Sequence, residues 1–346
     1  MSQRRLFLDR GIGESRGVVT LDGKSERLII LRDGDDLRLR CGARLAARVR
    51  RVEAALGTAF LDLGEGAEAV MPFRPDARPV EGQALEVEIR SEPRHGKLAV
   101  VRAEGPVEGA PRLLSPAPDL AEQLAAFARN VPVTEGREAR QAADLAQAEA
   151  MAVTHPLPGG GDIAIETTRA LTTVDIDAGE RKGADAKRVT RQLNLQGLAT
   201  AARLLRLKSL GGLVVFDLAG RGHDGAALLT AARTAFGPDN PGVALGPISR
   251  FGTLELTIPR RTPPLADILC GPDGAPTDLT LALALIRKIE GEAAAQPGAR
   301  LVADCAPATA IAAGPLAEAL AERIGARFTV RPQDGWARGR MEVAAA

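Results

Sequence analysis

The sequence predicts an α/β multidomain chain: an OB-type β-barrel joined to an α/β core, then a small C-terminal α/β domain. Three observations predict it. Five short runs of alternating apolar and polar residues lie within 38–102. In the centre, a strand-hairpin pattern is followed by a helical run and the continuous apolar run 213–216. Helix and strand patterns alternate again beyond residue 279.

At 346 residues the chain exceeds one small core, and its 45% apolar and 26% charged residues are those of a globular protein. The opening MSQRRLFLDRGIGESR has no apolar segment behind its basic residues, so no secretory signal is read, and no run approaches the ~18 apolar residues of a membrane span. Cys41, Cys270 and Cys305 are far apart and form no CxxC pair. They read as reduced, packed thiols, and the expected location is cytoplasmic, with no membrane partner.

Residues 1–35 hold strand-like stretches at 4–8 and 16–31 around Gly-rich turns, expected to pack on the core. Residues 36–105 contain ARLAARVRRV, TAFLDLG, EAVMPF, LEVEIR and KLAVVRA, the pattern of a small antiparallel barrel of OB type. Such a barrel binds single strands through one face and its loops, or serves only as a packing module. Residues 106–155, rich in Pro, Ala, Glu and Gln, read as two short helices without chemistry of their own.

Residues 156–262 are better organised. A hairpin is expected from 162–167 to 171–177, then a basic helix over about 187–207 with Val189, Leu193, Ala199, Ala202 and Leu205 on its buried face. The run 213–216, ending in Asp217, predicts a strand buried on both faces, and strand–helix–strand implies a parallel crossover. A helix over 224–236 and a strand near 251–258 continue the pattern. Residues 263–278, in a Pro/Gly-rich stretch, read as a linker. Within 279–346 the expected elements are helix 279–295, strand 299–304, helix 316–324 and strand 327–331.

Three carboxylates carry the candidate chemistry. Asp175 and Asp177, at i and i+2, share one sheet face, and Asp217 ends the next strand of the crossover. Ends of neighbouring parallel strands line one crevice, and acids crowded there repel unless a cation is present. Mg2+ suits such a site, taking one or two carboxylates plus water and phosphate. Glu166 lies on the preceding strand. Beside the acids, Arg181, Lys182, Lys187, Arg188, Arg191, Arg203, Arg206 and Lys208 face one acid, Asp185, leaving +7 over 181–210. That arrangement suits a polyanion; the plainer readings are acids capping loops and a solvated helix face. His95, His155 and His223 are scattered, the glycines 159–161 open no helix, and neither G-x-S-x-G nor GxxxxGK[ST] occurs. Trp336 reads as packing.

ETTRALTTVDIDAG, RQLNLQGLATAARLLRLKSLGGLVVFDLAG and ISRFGTLELT resemble the catalytic region of the ribonuclease E/G family over about 156–259. TAFLDLGEGAEAVMPF resembles its RNA-binding barrel, and 279–343 its small C-terminal domain. The resemblance implies an α/β nuclease core with ribonuclease H-like elements and a Mg2+-dependent endoribonuclease, with Mn2+ as a substitute metal. It would cut single-stranded RNA to 5′-phosphate and 3′-hydroxyl ends in RNA processing or decay. Asp175 and Asp217 match the metal-ligating aspartates, and Asp177 stands where the family has an orienting Asn. Phe60 matches a base-stacking aromatic, whose companion position is Val70, and Lys97 a basic RNA contact. Arg181, Lys182, Lys187, Arg188, Arg191 and Asn194 complete the expected RNA-binding set. Residues 106–155 look like a reduced remnant of the family's 5′-monophosphate sensor. With only Cys270 where the family has a CPxC link, no shared zinc is expected. A homodimer and no long scaffold tail complete the expectation. The alternative is a catalytically weak RNA-binding homologue in a tethering or regulatory role; a DNA-directed nuclease is disfavoured.

Overall fold

The computed structural model describes residues 3–94, 96–181, 185–221, 224–237 and 242–346. Strands β1 (Arg4–Arg10), β2 (Glu14–Leu21) and β3 (Lys24–Arg32) form an antiparallel meander. The stretch expected at 16–31 is split there by the turn at Asp22 and Gly23, both at positive φ.

Strands β4 (Arg44–Glu53), β5 (Thr58–Gly64), β6 (Ala67–Pro72), β7 (Ala84–Ser91) and β8 (Ala99–Pro106) follow the five alternating runs. The order β5-β6-β8-β7-β4, with β4 pairing back to β5, closes a five-stranded barrel consistent with the OB type. Leu45, Val49, Leu61, Leu63, Val87, Ile89 and Val101 fill it, one from every second position. The all-antiparallel expectation is corrected at one pair: β6 and β8 run parallel, because β7 intervenes in the chain.

Residues 106–155 are more than two helices. Strand β9 (Arg112–Ser115) pairs with β4. Helix α1 (Leu120–Phe127), started by an Asp119/Glu122 capping box, packs Leu120 and Leu124 with Leu6, Leu8 and Val19. Strand β10 (Val133–Glu135) adds in parallel to β1. Helix α2 (Arg137–Met151) buries Ala139, Ala143, Ala146 and Ala150 in a core shared with Phe7, Val18, Leu28 and Ile30.

The central unit comprises β11 (Thr154–Pro156), β12 (Asp162–Thr167), β13 (Thr172–Asp177), α3 (Ala186–Leu207), β14 (Gly212–Asp217), α4 (Gly225–Phe236), β15 (Ala244–Ile248) and β16 (Thr253–Ile258). Its sheet has the order β11-β12-β13-β14-β16-β15. As expected, β12 and β13 form a hairpin and β13 and β14 are parallel across α3. Helices α3 and α4 share the core with one face of this sheet and with the N-terminal strands. Of the residues expected inside, Leu193, Ala202 and Leu205 are buried and Val189 is half-buried, whereas Ala199 is exposed; Leu198 and Ala201 complete the buried face. The expectation that β14 is buried on both faces is also corrected. Val214 and Phe216 are buried, but Leu213 is exposed and Val215 half-buried, since helices cover one face only.

The stretch 263–278 is structured rather than a bare linker. Helix α5 (Leu265–Leu269) buries Leu265 and Leu269 in the main core, and Cys270 bridges to Pro276. Then α6 (Asp278–Ala295), β17 (Leu301–Cys305), α7 (Pro307–Ile324), β18 (Phe328–Pro332) and β19 (Met341–Ala345) form a three-stranded sheet, β18-β17-β19, with two helices. Helix α7 starts nine residues ahead of the expected 316, since Pro307 opens it and Pro315 is carried inside. The cysteines are free: Cys305 is buried, Cys41 and Cys270 half-buried. Burial pushes the Cys41 thiol up to about 12, which keeps it protonated and unreactive. Among the described residues no helix is long and apolar enough to cross a membrane.

Candidate active site on an open sheet face

Alternation along the central strands sends one set of residues into the helix-packed core and the other onto the uncovered face. That outer set includes Asp162 and Glu166 of β12, Asp175 and Asp177 of β13, Asp217 of β14 and Glu255 of β16. The parallel register places Asp175 directly beside Asp217, and the hairpin places Asp162 beside Asp177. Neighbouring strands lie about 4.8 Å apart, so the Asp175 and Asp217 carboxylates share one crevice. Partial burial, then the charges of Asp217, Asp177 and Asp162, hold the Asp175 carboxyl above its usual range. Asp177 is additionally held by its own turn, its Oδ1 accepting from Gly179 N at 2.6 Å.

These acids fit a hard divalent cation held by two carboxylates, its remaining positions left to water and phosphate. Among the described residues no group of three or more His, Cys, Asp and Glu is placed to hold a metal.

Helix α3 sets the position of both acids. Gly197 lets it lie against β13: a Cβ there would meet Ile176 Cδ1 at 2.6 Å, between Asp175 and Asp177. Asn194 corrects an expectation. It is fully buried, so it cannot touch a bound strand. Its Nδ2 donates to Ala219 O (3.1 Å) and its Oδ1 accepts from Ala219 N (3.0 Å), clamping the loop two residues past Asp217. Gly220 in that loop, at φ 77°, passes so close to α3 that a Cβ would lie 2.7 Å from Thr190 Cγ2.

The basic run divides into two groups. Lys187, Arg188 and Arg191 are exposed at the start of α3, Arg191 in a long pair with Asp224 (3.7 Å). Because α3 runs back from the end of β13, they sit at the same end of the sheet as the acids. Arg203 pairs with Glu149 (2.7 Å), Arg206 with Glu26 (2.9 Å), and buried Lys208 donates to Ala150 O and Ala152 O. That second group ties α3 to its neighbours, so the +7 run is not one phosphate-facing surface. Arg181 donates to Pro158 O, Gly159 O and Gln196 Oε1, spending its guanidinium on the 159–161 turn. Lys182, His95 and His223 lie outside the described residues.

On the barrel, Phe60 is half-buried on the outer surface beside Val70, with the Arg51 guanidinium 4.4 Å from its ring centroid. Lys97 is exposed in the turn that joins back to Arg94. The structure thus sets Asp175 beside Asp217, with Asp177 on the same face beside Asp162, and leaves Phe60 and Lys97 on a separate unit. Sequence reasoning missed Phe251, an exposed aromatic on the β15–β16 turn.

Residues 113–261 match the model of the Ribonuclease E/G family. Ribonuclease E of Haemophilus influenzae is 35% identical over 147 residues, which cover 40% of this chain and 16% of that protein. Ribonuclease E of Escherichia coli is likewise 35% identical over 147 residues, covering 40% of this chain and 14% of that protein. Ribonuclease G of Escherichia coli is 28% identical over 117 residues, 33% of this chain and 24% of that protein. Over this central region the chain is similar to the Ribonuclease E/G family.

The match spans the open sheet face and α3, and begins beyond the barrel. The aligned part is a minor fraction of each of these Ribonuclease E/G relatives. Within the family region the Asn194 clamp has a measurable consequence. Asn194→Ala strands the Ala219 N–H and C=O, at about 1–3 kcal/mol of stability. Urea midpoints of Asn194→Ala and the parent at constant slope measure the loss, and a midpoint equal to the parent's would show that the clamp adds nothing to stability.

Proposed function

We propose that the protein is a Mg2+-dependent endoribonuclease that cuts single-stranded RNA in RNA processing or decay, leaving 5′-phosphate and 3′-hydroxyl ends. The carrying observation is the register of β13 and β14, which sets Asp175 and Asp217 side by side on an uncovered face. Those two carboxylates would hold the metal. When bound, Mg2+ supplies charge neutralisation at the phosphate and a more acidic water.

The chain's own residues account for the rest. Lys187, Arg188 and Arg191 offer cations for the sugar–phosphate backbone at the end of the sheet where the acids lie. The uncovered face gives an extended strand access without unfolding any element. Phe60, half-exposed with Arg51 stacked on it, suits an unpaired base on the barrel. The kinship with ribonuclease H-like elements belongs to the same reading, since it rests on a parallel strand pair with an acid on each.

A labelled A/U-rich single strand tests the proposal. Cutting with Mg2+, none with chelator, and 5′-phosphate on the downstream product are expected. Tight binding without cutting would instead make the protein an RNA-binding homologue in a tethering or regulatory role.

A further inference from the structure

Phe251 is 78% exposed, although an aromatic side chain gains much by burial. The turn that carries it is firmly built. Ser249 Oγ accepts from Phe251 N (3.2 Å) and Thr253 N (3.2 Å) and shares a hydrogen bond with Thr253 Oγ1 (2.7 Å). Gly252 N donates to Ser249 O (3.1 Å), while Gly252 O accepts from Leu218 N (3.3 Å), the residue after Asp217. Thr253 then lies directly beside Asp217 across β14 and β16. The Arg250 guanidinium stacks 4.7 Å from the Phe251 ring centroid.

A fixed backbone therefore presents an aromatic ring and a cation to solvent at the acid-bearing end of the sheet. Little ordering is needed to use them, which favours binding. An aromatic face stacks any base, and the neighbouring guanidinium suits a phosphate. We propose that Phe251 stacks a nucleobase of single-stranded RNA next to the phosphate that sits at Asp175 and Asp217, with Arg250 against the adjoining phosphate. This rests on the ribonuclease reading above and adds a base contact within the central unit, apart from the barrel.

The test uses the full chain, a fluorescent A/U-rich single strand and anisotropy in chelator, so that nothing is cut. Phe251→Ala is expected to weaken binding roughly 5- to 150-fold, the range for loss of one stacked base. Phe251→Trp is expected to stay close to the parent, with its added indole emission quenched by RNA beyond the signal of Trp336. Scanning an abasic nucleotide along the strand should find one position that weakens the parent by the same factor and the alanine variant no further. Parent-like binding by Phe251→Ala overturns the stacking while leaving cleavage, and the ribonuclease reading, standing. An equal loss in Phe251→Trp and Phe251→Ala also overturns it, since ring stacking tolerates the larger ring. A parent that binds no single strand overturns both readings together.

Discussion

Asp217→Asn is expected to lower the single-turnover cleavage rate about a thousandfold while binding uncut RNA at least as tightly as the parent. The substitution keeps the shape of the strand end and removes one of two charges that would face the metal. Metal stabilisation of transition-state charge is worth several kcal/mol, and each 1.36 kcal/mol is tenfold in rate. Stability discriminates this role from a structural one. Asp217 is one of the negative charges that hold the Asp175 carboxyl above its usual range, so its removal relieves repulsion. The variant should therefore unfold at the parent's temperature or higher, whereas an acid kept to cap a loop would lose stability on substitution. A Mg2+ titration should show the half-maximal concentration moving upward. Asp162→Asn, one strand further out beside Asp177, should lose far less activity. Undiminished cutting by Asp217→Asn would end the metal assignment at this pair.

The barrel and the acid pair were legible because both depend on short-range period. Leu61 and Leu63 alternate with Phe60 and Asp62, and that two-residue repeat puts the core inside. Asp175 and Asp217 each lie at or near the end of an apolar strand joined by one helix, so the handed crossover alone brings them together. The failures share a cause: partners distant in sequence. Arg203 meets Glu149 across 54 positions and Arg206 meets Glu26 across 180, so a run of like charge looks the same whether solvated or paired. Asn194 reads as an outward polar residue until the Ala219 backbone, 25 residues on, takes up both ends of its amide. β10 is three residues long and carries no pattern; it is a strand because the edge of β1 offers unpaired backbone groups. Phe251 gives no periodic signal either, since an aromatic in a turn becomes informative only once its exposure is known.

Arg16→Met is expected to lower the unfolding free energy by about 3–5 kcal/mol, the usual consequence of removing one partner of a buried ion pair. Arg16 is 1% exposed. Its Nε and Nη2 both reach Asp9 Oδ2 (3.1 and 2.6 Å), and its Nη1 reaches Asp144 (2.8 Å) and Gln147 (3.2 Å). Among the described residues Asp9, 3% exposed, would keep only Arg140 Nε at 3.3 Å. The same Arg140 holds Glu290 of α6 at 2.6 Å, and nearby Glu14 holds Arg32 (3.0 Å) and Arg287 (2.8 Å). Four guanidinium groups and four carboxylates thus join the N-terminal strands, α2 and α6 in one seam. Removing Arg16 also relieves Arg287, whose pKa is lowered by burial and then by Arg16, which sets the lower end of the range. Arg16→Lys should recover only part of the loss, because an ammonium cannot offer two N–H groups in a fixed fork. Adding Asp9→Asn to Arg16→Met should recover some stability by removing the orphaned carboxylate, a non-additivity of the kind expected for contacting groups. Urea midpoints at constant slope measure all three variants. A midpoint for Arg16→Met within about 0.5 kcal/mol of the parent would show the seam to be solvated in solution. A full loss would mean that the strands preceding the barrel and the helix opening the C-terminal unit stand or fall together.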